Sequence, residues 1–235
     1  MTDEHAALPS FGGQRRVYES DPNALPPTVL EGEFDRLARR LYVSVRDRVV
    51  DCEAAFDLAA FLMGWAPVDP VLQELARVAL EGTERERLAD LSRQVLSHCF
   101  EPGFDLEPGW LATLEEALDV IRLDIRATGL PPGSVRLITP GWSHPSHAFV
   151  EYQGTWGSGS GIAPVTGSDA RQALIAVADA AQDSVMEARW EAWPVCPAHQ
   201  FGVHVQEGEG VPAWWCKGDG GHVVATVGKW PTPEE

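Results

Sequence analysis

A chain of 235 residues with 44% hydrophobic side chains can bury one large core or two small ones. Its formal net charge of −17 argues against a general binder of nucleic-acid phosphates, which needs a basic patch, and against attraction to anionic membranes. It carries no apolar run long enough for a transmembrane helix, and "MTDEHAALPSFGG" has no basic start followed by an apolar core, so a cytoplasmic protein without a secretory signal is expected.

Residues 1–28, rich in Gly and Pro, read as a flexible tail. A helical domain is expected over 29–130. Phe34, Leu37, Leu41, Val45 and Val49 recur every three or four residues and make one apolar stripe. "AAFDLAAFLMGW" is apolar nearly all round, as a buried helix is. Asp69 followed by Pro70 predicts a capped helix start, and Gly82 a stop. Thr83 and Glu86 have capping-box spacing for the next helix, whose inner face would be Leu88, Leu91, Val95 and Cys99. Pro108 opens a fifth helix with the stripe Leu111, Leu114, Leu118, Ile121 and Ile125, which Gly129 ends. Together these predict a five-helix bundle. The acidic residues of "EGTERERLAD" and "TLEEALD" alternate with arginines or lie on outer faces and read as solvated.

Composition shifts after "GLPPGS". Over 131–192 the β-rich runs "VRLITP" and "HAFVEYQG" flank a turn, "GWSHPS", and a helix from Ser168 to about Trp190 follows. Ser143, His144, Ser146 and His147 do not make a nucleophile elbow, because Pro145 replaces the second glycine and a strand follows. "GTWGSGSG" lacks the P-loop lysine and does not open a helix, so it reads as a flexible connection. From 193 to 235, "FGVHVQEG", "PAWWC" and "HVVATVGKW" read as three short strands. The expected fold class is therefore α+β: a helical bundle, a small β-hairpin and helix, and a three-stranded module at the end.

That last module holds two of the four cysteines and three of the seven histidines. Cys196-x2-His199 and Cys216-x5-His222 offer four N/S ligands, with His204 as an alternative fourth. Zinc takes such a set in a tetrahedron. Pro197 suits a tight knuckle after Cys196, and the glycines of "KGDGG" allow a second tight turn. In a reducing compartment Cys with His favours metal over a disulfide, though a Cys196–Cys216 bridge and a module without metal are both open. Residues 193–230 resemble a zinc ribbon, and "WPVC", "WWC" and "GGHVVA" resemble proteins of GC-rich bacteria with no assigned activity. The ribbon resemblance implies Cys196, His199, Cys216 and His222 as ligands of a structural zinc. It departs from the ribbon pattern in its second half, where a Cys-x2-Cys pair is usual.

Four protein ligands leave no open position for a reactive water, and neither a deaminase motif nor His-Glu-x-x-His is present. The expected function is a non-catalytic binding or regulatory protein, of adaptor or inhibitor and immunity type, with a protein partner of basic character. One alternative is a metal-dependent hydrolase using His199, His204 and His222, with Asp219 or Glu207 as base. A nucleic-acid-binding ribbon ranks last, since Lys217 and Lys229 are its only basic residues. Trp190, Trp193, Trp214, Trp215 and Trp230 either pack the module onto the preceding helix or form a partner patch.

Overall fold

The computed structural model describes residues 27–141, 147–157, 159–208 and 210–232. Nearly all of the expected tail, Ser143, His144 and Ser146 of the "GWSHPS" turn, and Ser158 lie outside the described residues. The fold is α+β, as the sequence predicts: helices first, then two small antiparallel sheets. No helix among the described residues is long and apolar enough to cross a membrane.

The chain forms two compact units, Met1–Glu101 and Pro102–Glu235. The first contains α1 (Pro27–Arg46), α2 (Cys52–Met63), α3 (Pro70–Glu81) and α4 (Arg85–Cys99). Leu37 and Leu41 of the predicted α1 stripe join Leu58, Leu72, Leu75, Leu88, Leu91 and Val95 in its core. Asp51 and Asp69 cap α2 and α3 by accepting bonds from backbone N–H groups in the first turn. Such a cap contributes about 1 kcal/mol. Gly82 closes α3 in the left-handed conformation (φ 67°). The Thr83–Glu86 capping box does not form. Thr83 is used in the connection, α4 begins only at Arg85, and Glu84 holds the cap position without a side-chain bond.

The domain boundary differs from the sequence expectation. The fifth helix, α5 (Pro108–Ala127), belongs to the second unit rather than to a bundle over 29–130. Its stripe of Leu114, Leu118, Ile121 and Ile125 shares a core with Val177, Ala181 and Val185 of α6 (Ala170–Arg189). Asp169, one residue after the predicted Ser168, caps α6 through Arg171 N and Gln172 N.

Two sheets pack on this helix pair. The first has the order β1 (Val135–Ile138), β2 (Phe149–Tyr152), β3 (Thr155–Trp156), so "GTWGSGSG" begins with a short strand. Buried Ser184 of α6 donates to Val150 O (2.7 Å) and accepts from Gly157 N (3.2 Å), tying this sheet to the helix. The second sheet has the order β4 (His204–Gly208), β5 (Val211–Cys216), β6 (His222–Thr226). It is the predicted three-stranded module, and its Trp214, Cys216 and Val227 enter the core that α5 and α6 share.

Candidate metal centre

The second sheet determines where the four candidate ligands lie. Cys216 and His222 are cross-strand partners where β5 meets β6. Directly opposed residues of an antiparallel pair project to one face. The five-residue spacing, unlike a usual knuckle, is thus the loop of a β-hairpin whose mouth holds both ligands. That loop turns through left-handed backbone at Asp219 (φ 46°), Gly220 (φ 86°) and Gly221 (φ 87°). The two glycines adopt it freely, whereas Asp219 is strained there.

The other pair comes from a smaller turn. Val195 and Gly202 form an isolated antiparallel bridge, and Cys196 N donates to Phe201 O at 2.8 Å. Gln200 turns the chain with φ 56°, which leaves Cys196 and His199 facing inward. Buried Gln182 of α6 anchors this turn at both ends, donating to Trp193 O (2.7 Å) and Val203 O (2.5 Å).

The four donor atoms, two sulfurs and two ring nitrogens, all lie within 4.8 Å of one another, and together they could hold a metal ion. Cys196 Sγ stands 3.6 Å from His199 Nδ1 and 3.6 Å from His222 Nε2, while Cys216 Sγ stands 3.5 Å from His199 Nδ1. Both sulfurs are buried. Gly218 N donates to Cys216 Sγ at 3.3 Å. For Cys196, burial opposes ionisation. The backbone N–H groups of His199 and Ala198, with the His199 and Cys216 side chains, outweigh it and lower the thiol to about 6.

Asp219 has a role that spacing did not suggest. Its carboxylate lies 3.0 Å from His199 Nε2, which leaves Nδ1 facing the two sulfurs. Asp219, and after it Cys196, raise His199 above the usual histidine range. A carboxylate on the far nitrogen is how a ligating histidine is commonly oriented. Gly218 was also missed as a requirement. A Cβ there would fall 2.7 Å from His199 Cγ and 2.8 Å from Nδ1. Gly218→Ala is therefore expected to push the imidazole aside and weaken metal affinity about tenfold or more, with the unit still folded. Competition against a chromogenic chelator would measure it.

His204 does not join the four. It opposes Trp215 across β4 and β5, one residue away from Cys216, so the pleat turns it to the other face. Of the residues named for the hydrolase alternative, His199, His222 and Asp219 are brought together, whereas His204 is turned away and Glu207 pairs with Arg171 at 2.7 Å. The five tryptophans do not form one patch. Trp193, Trp214 and Trp230 are core residues, with Trp193 edge-on to Trp214 at 5.8 Å and Trp230 edge-on to it at 6.4 Å. Trp215 is half-buried, and Trp190 alone is fully exposed.

Comparisons with family models, with curated proteins and with solved structures found no match.

Proposed function

We propose that the chain is a binding protein whose C-terminal module is stapled by a structural zinc ion, in the manner of a zinc ribbon. Cys196, His199, Cys216 and His222 would be its ligands. The observation that carries this reading is the convergence of two sulfurs and two imidazole nitrogens from two separate turns. Zinc–sulfur bonds of about 2.3 Å and zinc–nitrogen bonds of about 2.0 Å put tetrahedral S···N edges at about 3.5 Å. Three of the four S···N edges measure 3.5, 3.6 and 3.6 Å. The soft thiolate pair with two imidazoles suits zinc over magnesium or calcium, which prefer oxygen.

Zinc in this site would supply cross-linking rather than chemistry. Four protein ligands complete the tetrahedron, so no position is kept for a water or a substrate. The role is then to hold the two turns rigid as a presentation surface, in a cytoplasmic regulatory, adaptor or inhibitor-type protein. The net charge of −17 favours a basic protein partner over nucleic acid.

Elemental mass spectrometry on untagged protein tests the metal. About one zinc per chain is expected in the wild type and essentially none in Cys216→Ser. Protein without bound metal that also takes up none on zinc titration would replace the staple with a hydrogen-bonded Cys/His cluster.

A further inference from the structure

Trp190 stands apart from the other tryptophans. It ends α6 in the left-handed conformation (φ 57°) with 87% of its surface exposed. A bulky residue is disfavoured at that backbone geometry, and a glycine would end the helix more easily. Trp190 and Met186 rim a groove along α6 that Gly157 also lines. The groove consists of two adjoining hollows of about 420 and 360 Å³, both bordered by Gly157 and Asp183. A side chain at Gly157 would strike Asp183 Cβ at 2.8 Å, so glycine lets the backbone lie against α6 where the hollows meet.

The charge of the groove is equally specific. Asp179, Asp183 and Glu187 follow at i, i+4 and i+8 of α6, on the stripe that leads to Trp190. Several carboxylates on the other helices are paired by arginines three or four residues away: Glu33 with Arg36, Asp35 with Arg39, Glu74 and Glu81 with Arg77, and Asp90 with Arg93. Of the arginines of α6, Arg171 pairs with Glu207, and Arg189 pairs with Glu191 at the edge of the groove, leaving the stripe itself without a cation. Among the described residues no cation pairs with Asp179, Asp183 or Glu187. Like charges at this spacing destabilise a helix, so the stripe is complementary to cations from outside. Burial, and then Asp179, hold Asp183 above the ordinary carboxylate range.

We propose that this groove docks an arginine-bearing segment of a protein partner. A guanidinium stacks on Trp190, aliphatic stems lie along Met186, and Asp183 and Glu187 take the charge. The inference rests on the reading of the chain as a binding protein, and it names the partner's chemistry. It does not depend on the metal.

The test is fluorescence anisotropy of a labelled (Arg-Ala)5 peptide titrated with the full chain at low salt. The peptide is expected to bind, and a (Glu-Ala)5 peptide is not. Trp190→Gly is expected to weaken binding about tenfold with a melting temperature unchanged or higher, since glycine suits the backbone there. Asp183→Asn with Glu187→Gln is expected to weaken it about tenfold as well, whereas Glu86→Gln with Asp90→Asn, an equal loss of charge on α4, leaves it within about twofold. No binding, binding indifferent to Trp190→Gly, or equal weakening by the α4 pair would each overturn the groove. The last two leave the chain a binder of basic peptides by another surface, which separates failure of the groove from failure of the binding-protein reading.

Discussion

Chelation of the wild-type protein is expected to lower the melting temperature of the second unit by about 15 °C and to bring it to that of Cys216→Ser. Zinc at about a thousandfold excess over its dissociation constant stabilises the folded state by about 4 kcal/mol. In a unit of this size 1 kcal/mol moves the midpoint by roughly 4 °C. The measurement is selective, because tryptophan fluorescence reports almost wholly on the second unit: of nine tryptophans only Trp65 precedes residue 102. The loss is expected to be local at first. Trp214 and Val227 are fixed in the core with α5 and α6, whereas the residues between the ligands of each turn, 197–201 and 217–221, contribute nothing to that core. Hydrogen exchange should therefore accelerate in those turns before the strands. Chelator must have no further effect on Cys216→Ser. A wild-type midpoint that stays put while its zinc is removed would sink the staple.

How much was legible follows from what each signal measures. The six helices were readable because apolar residues at helical spacing mark a buried face wherever that face is buried. For the same reason the sequence could not say which core α5 joins. Leu114, Leu118, Ile121 and Ile125 would suit a bundle as well as the pairing with α6 that forms. The four candidate ligands were legible by type and spacing, since few structural needs bring two Cys and two His together. Choosing His222 over His204 needed strand register, which places His222 opposite Cys216 and turns His204 away. Of the two readings of the tryptophans, packing onto the preceding helix holds for Trp193, Trp214 and Trp230, although composition alone does not report which are buried. Trp190, the exposed one, is distinguished by its helix-ending backbone and not by its neighbours in sequence.

Asp124→Asn is expected to destabilise the second unit by about 3 kcal/mol, a large share of a domain's total stability. Asp124 is fully buried on the apolar face of α5. One carboxylate oxygen accepts from Trp214 Nε1 and from Gly228 N, both at 2.7 Å, and the other accepts from Trp230 N at 2.8 Å. The carboxylate thus satisfies three donors around the end of the chain and ties β5 and the segment after β6 to α5. An amide cannot replace it, because its NH2 must face at least one N–H whichever way it is turned. Two donors then confront each other in a site closed to water, and each unsatisfied donor costs about 1–3 kcal/mol. Asp124→Ala leaves all three donors unpaired and adds a cavity, so about 5 kcal/mol or more is expected. Urea unfolding followed by tryptophan fluorescence orders the two variants. The signal to heed was in the sequence: an aspartate at 124, three residues after Ile121 and next to Ile125, occupies a position where the helical period calls for an apolar side chain. If Asp124→Asn costs less than about 1 kcal/mol, the C-terminal segment is held by apolar packing and this network organises nothing.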